Sequence, residues 1–213
     1  MTAAATVVRT GMATNGKTSL DGIFGSVVHS ARCTAMRDTV EEVLQLAVEI
    51  AREGREGRKI GTLFVIGDVE PVLERTRPLL LDPLFGHPAE ALDVRLPEFR
   101  ETVKELAQLD GAFIVNARGT FVSAARYVDV DPGTALLPGL GTRHAAAASV
   151  TADTKAVGIV VSQSSVVRVY ARGEIRAEIV PELFLLSRTG LFAADADVRQ
   201  VPEAGITLAV ADG

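Results

Sequence analysis

The sequence has very little of several residue types, and each shortage excludes a class of protein. Its single cysteine, Cys33, excludes a disulfide within the chain and fits a reducing compartment. Tryptophan is absent and aromatic residues make up 5%, so a folded core must be mainly aliphatic. No apolar run reaches the roughly 18 residues of a membrane-spanning helix, and the amino terminus lacks the pattern of a secretory signal. We therefore expect a cytoplasmic protein.

Excess positive charge is also lacking. The formal net charge is −5, which argues against broad electrostatic binding to nucleic acid or to an anionic membrane. Of the 213 residues, 47% are hydrophobic and 23% are charged, an ordinary composition for a folded soluble domain. A small basic pocket for a nucleotide is compatible with this balance.

Helical and strand patterns alternate along the chain from Asp38, a residue suited to cap a helix. Residues 1–30 are small and polar without a sustained period, and we interpret them as a flexible or loosely attached leader. The alternation predicts an α/β fold, one globular domain with a central mixed β-sheet flanked by helices. Helices are predicted at 38–53, 69–73, 97–109 and 143–151, and strands at 61–66, 112–115, 120–127, 157–161, 166–170 and 175–179.

A first candidate motif lies in the leader, where Gly11 to Thr18 matches the phosphate-loop pattern of Gly, four residues and Gly-Lys-Thr. That chemistry needs a buried strand before the loop and a helix after it. The preceding strand could only be Ala5 to Arg9, and two glycines weaken the segment that follows. A chance match is the simpler interpretation. A P-loop nucleotide hydrolase that uses Lys17 and Thr18 stays open as an alternative.

A second candidate, Asp110-Gly111-Ala112, stands between a predicted helix and a predicted strand. An acidic residue followed by glycine at such a junction is often only a turn. The functional alternative is a carboxylate held at a strand start, where it can bind a divalent metal, with Gly111 letting a ligand approach the backbone. These residues alone leave both interpretations open.

A third candidate, Gly139 to His144, places glycines, a hydroxyl and a basic pair before an alanine-rich helix. At a helix amino terminus the free backbone amides and the helix dipole favour an anion. Arg143 adds a planar fork of donors that suits phosphate. Since a cation opposes the dipole at this end of a helix, a bound phosphate gives a reason for its presence. The pattern therefore indicates an anion site.

These motifs, in this order, resemble the signatures of the diadenylate cyclase domain family, which includes the cyclase domain of the DNA-integrity scanning protein. The resemblance covers residues 97–180 within a cyclase-like domain that we expect to span residues 31–213. The upstream helix and strand, at 38–67, are more similar to the stand-alone archaeal-type branch. The stretches that carry the resemblance are Asp110-Gly111-Ala112, Gly141-Thr142-Arg143-His144 and Val160-Val161-Ser162.

The resemblance implies an enzyme that condenses two ATP molecules into cyclic di-AMP and pyrophosphate. It implies that Asp110 holds Mg or Mn and helps to activate the ribose 3′-hydroxyl, and that Arg143 and His144 are catalytic with it. Residues beside the sugar or adenine would be Gly111, Ala112, Tyr127 and Val128. The triphosphate and its surroundings would be contacted by Gly141, Thr142, Arg143, His144, Ser162 and Gln163.

The two-fold symmetry of the product implies a homo-oligomer in which two subunits meet face to face, each with one ATP. No membrane or nucleic-acid partner is expected. The chain departs from the family pattern at Ala145 and Ala146, where many relatives have a basic residue and often Thr, and at Gln163, where the family has Glu. These departures leave open a second hypothesis, a nucleotide sensor that binds ATP or cyclic di-AMP without turnover.

Overall fold

The structure, a computed structural model, describes Ala35, residues 37–131, Gly133, and residues 139–181, 196–201 and 206–211. Its helices are α1 (Arg37–Glu53), α2 (Val69–Glu74), α3 (Pro97–Leu106) and α4 (Thr142–Asp153), with a short 3-10 turn at Ala89–Ala91. Its strands are β1 (Thr62–Ile66), β2 (Thr76–Pro78), β3 (Ala112–Val115), β4 (Phe121–Val128), β5 (Val157–Val161), β6 (Val167–Ala171), β7 (Glu174–Ile179), β8 (Ala196–Val201) and β9 (Ile206–Ala211).

Seven strands form one mixed sheet in the order β2-β4-β3-β1-β5-β6-β7, and β8 pairs with β9 in a second, two-stranded sheet. In the large sheet β1 and β3 are parallel, while the other neighbours are antiparallel. In the central strand, Leu63 lies opposite Ala112 of β3, and Thr62 lies opposite Val161 of β5. The starts of β1 and β3 and the end of β5 therefore share one edge. The predicted α/β fold with a mixed sheet flanked by helices is confirmed.

One face of the sheet is covered by α1 and α3. The apolar stripe predicted for α1 is buried, including Val43, Leu44 and Ala47. Four phenylalanines lie at the centre of this otherwise aliphatic layer; Phe64 stacks on Phe113 with ring centroids 5.2 Å apart. Burying one aliphatic or aromatic side chain of this size stabilises the fold by about 1.5–3 kcal/mol. Since this layer contains most of the buried apolar side chains, it is the main core.

The opposite face is covered by α4, which lies close to the sheet because its buried side consists of alanines, residues 145–148. A Cβ placed on Gly158 of β5 would lie 3.3 Å from the Cβ of Ala147. This close approach sets the amino terminus of α4 against the edge where β5 ends. The predicted alanine-rich helix is confirmed, and it begins one residue earlier and ends two residues later than expected.

The other predicted elements are present, with differences at their ends. Asp38 is the second residue of α1 and not its cap, so that prediction is wrong. The helix expected to reach Leu109 ends at Leu106, followed by turns. The edge strand β2 was not predicted, because three residues that end in Pro78 are too short to show a period.

Several predictions concern parts of the chain that the structure does not describe. The leader, its phosphate-loop match and Cys33 lie outside the described residues, as does most of the segment after Pro181. Among the helices that the structure does describe, none is long and apolar enough to cross a membrane. His87, in the connection between β2 and the 3-10 turn, is exposed.

Candidate active site

Segments far apart in sequence meet at the edge where β1 and β3 begin and β5 ends. Asp110 comes just before β3, Arg143 is in the first turn of α4, and Ser162 follows β5. Gly61, immediately before β1, lies among them: a Cβ there would be 3.0 Å from Nη1 of Arg143 and 3.3 Å from Cγ of Gln163. The tertiary structure thus brings the predicted motifs together. Gly61 was not singled out from the sequence, where it is only the first residue of a predicted strand.

Asp110 and Arg143 form a hydrogen-bonded ion pair. Nη2 of Arg143 donates to Oδ1 of Asp110 at 2.9 Å, and the two side chains are 32% and 78% exposed respectively. An ion pair this exposed stabilises a fold by about 1 kcal/mol or less. Both groups can therefore exchange this contact for a ligand at small cost in stability.

The backbone around position 111, between Asp110 and β3, requires a glycine. Its φ is +104°, and a Cβ would lie 2.7 Å from the carbonyl carbon of Ala125 and from the backbone nitrogen of Arg126. Strand β4 bulges at this point, and Ala125 itself has a φ of +53°. A side chain at position 111 would collide with the bulge. The sequence interpretation assigned Gly111 to ligand approach, whereas the space beside it is filled by β4.

In the first turn of α4, two backbone amides have no hydrogen-bond acceptor among the residues that the structure describes. Gly141 precedes the helix in an extended conformation, with no side chain capping the turn and no acidic residue in it. The amides of Thr142 and Arg143 have no intrahelical acceptor, because the first carbonyl of the helix is reached only by later residues. Gly141 and Thr142 are exposed. This end of the helix can therefore receive an anion from solvent.

His144, by contrast, is buried and faces β6. Its Nδ1 lies 3.0 Å from the hydroxyl oxygen of Tyr170, and the two residues are 6% and 3% exposed. Burial, followed by the positive charge of Arg168, lowers the pKa of His144 to about 4. Burial raises the pKa of Tyr170 to about 12. Both side chains are therefore neutral at pH 7. Tyr170 and Arg168 were not predicted as site residues. In the sequence they show only the alternation of β6, which places both side chains on the face of the sheet toward α4.

Tyr127 and Val128, expected beside adenine, have different settings. Tyr127 is exposed, and one step along the β3–β4 register brings it level with Gly111. The guanidinium carbon of Arg77, on β2, lies 4.3 Å from the centroid of its ring. Val128 is buried in the layer beneath α4 and lies opposite Thr76 of β2, so its side chain does not line the open edge. The contact with Arg77 was not predicted, since β2 itself was not.

Ser162 begins the turn after β5, and its Oγ accepts a hydrogen bond from the hydroxyl of Ser164 at 2.9 Å. Gln163 is exposed beside it. The alanines that depart from the family pattern are both buried, and Ala146 belongs to the core between α4 and the sheet. These two positions therefore do not line the open edge.

The residues at this edge provide one carboxylate for a metal ion. Among the residues that the structure describes, no group of three or more His, Cys, Asp or Glu is placed to hold one. Mg²⁺ is often bound by one or two carboxylates together with substrate phosphates. Asp110, exposed and paired with the Arg143 side chain, fits a divalent ion that is shared with a bound phosphate group.

The edge lies within the part of the chain that matches a known family. Residues 49–175 match the family model described as DAC: DisA bacterial checkpoint controller nucleotide-binding. The chain belongs to the DAC family. The matched region of this DAC-family chain includes all seven strands around the site except the end of β7, together with α4.

Two curated relatives of this DAC-family chain are named diadenylate cyclase. The protein from Methanocaldococcus jannaschii is 43% identical over 149 residues, which cover 70% of this chain and 47% of that protein. The protein from Haloferax volcanii is 35% identical over 147 residues, which cover 68% of this chain and 54% of that protein. The chain thus spans about half the length of these relatives.

Solved structures show a more distant likeness. A protein from Bacillus cereus described as a hypothetical membrane spanning protein aligns over 65% of this chain and 62% of its own, with 20% identity and a TM-score of 0.49. A double mutant of DacA from Staphylococcus aureus aligns over 71% of this chain and 94% of its own, with 20% identity and a TM-score of 0.47.

Proposed function

We propose that this chain is a diadenylate cyclase that condenses two ATP molecules into cyclic di-AMP and two pyrophosphates. The observation that carries the proposal is the 2.9 Å contact between Asp110 and Arg143. It joins a carboxylate of the kind that binds divalent metals to a guanidinium of the kind that binds phosphates, at a helix end with free amides. Membership of the DAC family and relatives named diadenylate cyclase support the same activity.

The triphosphate lies against the first turn of α4. The free amides there, the hydroxyl of Thr142 and the guanidinium of Arg143 donate hydrogen bonds to its oxygens, and Ser162 contacts it from the end of β5. His144 is buried and its Nδ1 pairs with Tyr170, so any contact it makes with the triphosphate is through Nε2. In-line phosphoryl transfer depends on positioning and charge neutralisation more than on a covalent residue. These donors supply both functions.

Asp110 and Arg143 change partners when ATP binds, Arg143 turning to the phosphates and Asp110 to Mg or Mn. Asp110 would hold the divalent ion, which would supply charge neutralisation and make the ribose 3′-hydroxyl easier to deprotonate. The sugar lies near the backbone at Gly111 and Ala112, since β4 fills the space for a side chain at Gly111 and Ala112 is buried. Tyr127 lies beside adenine, with the face of its ring that Arg77 leaves open.

Two subunits are needed for a complete reaction centre. Each 3′-oxygen attacks the α-phosphorus of the other ATP, so one subunit with one ATP holds half of the reacting groups. An isologous dimer presents the two halves in the required arrangement. The 78% exposure of the Asp110 side chain leaves it free to face a second subunit.

The direct test is product analysis. The purified chain is incubated with ATP and MnCl2 or MgCl2, and products are separated by chromatography and identified by mass spectrometry, with GTP as the control nucleotide. Cyclic di-AMP and pyrophosphate in a ratio of one to two are expected. If ATP binds but no cyclic dinucleotide forms, the cyclase proposal is overturned and the nucleotide sensor remains. The neutral Gln163 near Arg143 favours that sensor.

The phosphate-loop alternative is tested with a chain that lacks residues 1–30. If the shortened chain forms product at the rate of the full chain, Lys17 and Thr18 take no part in turnover. Loss of nucleotide binding in a shortened chain that remains folded favours the P-loop hydrolase instead.

A further inference from the structure

The contact between His144 and Tyr170 determines where the histidine ring carries its proton. His144 is the third residue of α4, and Tyr170 lies on β6 beneath it, with 3.0 Å between Nδ1 and the phenol oxygen. Both are almost completely buried. Tyr170 packs in the layer between α4 and the sheet, opposite Gly158 of β5.

Two proton arrangements are compatible with this distance. Either the phenol donates to an unprotonated Nδ1, or a protonated Nδ1 donates to the phenol oxygen. In the second case the phenol hydrogen needs another acceptor, and the described residues offer Tyr170 no other hydrogen-bond partner. A buried donor without an acceptor is costly. The first arrangement satisfies both groups and places the ring hydrogen on Nε2.

The charges around the ring favour its neutral form. Arg143 lies on the same helix, and Arg168 lies on β6, where it pairs with Glu178 of β7. The neighbouring part of β5 contributes Gly158 and Val160, which carry no charge. Burial, and then the charge of Arg168, oppose a positive charge on His144, while Glu178 favours one. Arg143, itself paired with Asp110, adds a smaller opposing effect.

We propose that Tyr170 is a positioning residue that fixes His144 as the neutral tautomer with its proton on Nε2, so that His144 contacts the triphosphate as a hydrogen-bond donor and not as a cation. The effect on turnover rests on the proposed function. The tautomer does not, because it is a property of the chain without substrate. The positive charge at the phosphates then comes from the arginines.

The tautomer can be measured directly, because the chain has three histidines. In the full chain labelled with ¹⁵N-histidine, two-bond ¹H–¹⁵N correlation spectra distinguish Nε2–H from Nδ1–H, and His144→Gln assigns the signal. The expected result is neutral Nε2–H at His144 from pH 5 to pH 8. A signal from Nδ1–H, or from a protonated ring at pH 6, overturns the proposal even if no variant can be prepared.

Tyr170→Phe keeps the ring and removes the hydroxyl. We expect Nδ1–H to appear in about a tenth or more of the molecules, since the unpaired nitrogen no longer selects one tautomer. Tyr127→Phe, which removes the only other phenol of the chain, is the control and leaves the His144 signal unchanged. An unchanged tautomer in folded Tyr170→Phe shows that the hydroxyl does not select it.

Turnover tests the positioning role separately. Tyr170→Phe is expected to lower kcat about tenfold with a smaller change in KM for ATP, as removal of an outer hydrogen bond to a functional histidine does elsewhere. Its pH profile of kcat gains an ionisation that the parent chain lacks. Unchanged kcat and pH profile in a folded variant overturn the role, whereas absence of product from the parent chain overturns the proposed function and leaves the tautomer result in place.

Discussion

Arg143 and His144 are consecutive residues in one turn of α4, and the structure gives them opposite settings. Arg143 extends toward the open edge of the sheet and pairs with the exposed Asp110. His144 turns toward the sheet and pairs with the buried Tyr170. Successive side chains on a helix point about 100° apart, so one turn can supply both a fixed contact and a movable one. If this edge binds a nucleotide as proposed, His144 keeps its position while Arg143 and Asp110 exchange partners.

We call Asp110 and Arg143 the movable pair, and His144 and Tyr170 the fixed pair. The largest expected effect on turnover follows from removing the carboxylate of the movable pair. Asp110→Asn should lower cyclic di-AMP formation by about a hundredfold or more, because the amide neither holds a divalent cation nor balances its charge. The free energy of unfolding should change by less than about 0.5 kcal/mol, since the side chain is mostly exposed.

Turnover assays and urea unfolding measure these two quantities, with Glu98→Gln, an exposed carboxylate of α3, as the control. A folded Asp110→Asn chain that retains most of the turnover shows that Asp110 is not the metal ligand.

A substitution at Gly111, next to the Asp110 of the movable pair, should have the next largest effect, this time on the stability of the fold. Gly111→Ala should destabilise the fold by about 2 kcal/mol or more, because it adds a collision with β4 to the strain of a positive φ. Gly86→Ala is the matched control, since Gly86 has a φ of +84° and open space around it, and should cost about 1 kcal/mol. Equal costs in urea unfolding would mean that β4 moves aside and that the bulge does not require glycine.

The burial of His144 in the fixed pair should make the free energy of unfolding depend on pH. Since folding lowers the pKa of His144 to about 4, the unfolded chain binds a proton at this residue between about pH 6.5 and pH 4 and the folded chain does not. Stability therefore falls as the pH decreases through this window. We expect this residue to contribute a loss on the order of 1–2 kcal/mol between pH 7 and pH 5.

Urea unfolding at both pH values measures that loss. His144→Gln should reduce it, and His87→Gln, at an exposed position, should leave it unchanged. The same pH dependence in the parent chain and in His144→Gln would contradict the burial of a neutral ring.

The smallest expected effect is the stabilising energy of the movable pair itself. A double-mutant cycle with Asp110→Asn and Arg143→Gln should give a coupling below about 0.5 kcal/mol in the free energy of unfolding. The corresponding cycle with His144→Gln and Tyr170→Phe should give about 1 kcal/mol, because that hydrogen bond is buried. Equal couplings would remove the contrast between the two pairs.

Most of the helices and strands could be predicted from the sequence, because their signals are local. The apolar spacing of α1, the continuous apolar runs of β1 and β5, and the alanines of α4 all gave elements close to those observed. The strand β2 lacked such a signal. The 3-10 turn lies in the Pro-punctuated stretch where only a connection was expected.

The candidate site was predictable in part. Asp110, Arg143 and Ser162 belong to short motifs, and residues of these types suit metal and phosphate wherever the chain places them. Gly61, Tyr170, Arg168 and Arg77 carry no such signal, since each acts through a neighbour that is distant in sequence. Arg77 could be found only with β2 in place, and Tyr170 only with α4 packed over β6.

The sequence by itself determined the α/β class and the order of the elements, and it predicted an anion-binding start for α4, since periodicity, glycine placement and helix polarity are properties of neighbouring residues. Only the tertiary structure decided that Arg143 meets Asp110 across 33 residues of chain and that His144 is buried against Tyr170. The physical reason is that these contacts depend on strand order, on the bulge of β4 that requires Gly111, and on how closely an alanine face lets a helix approach a sheet.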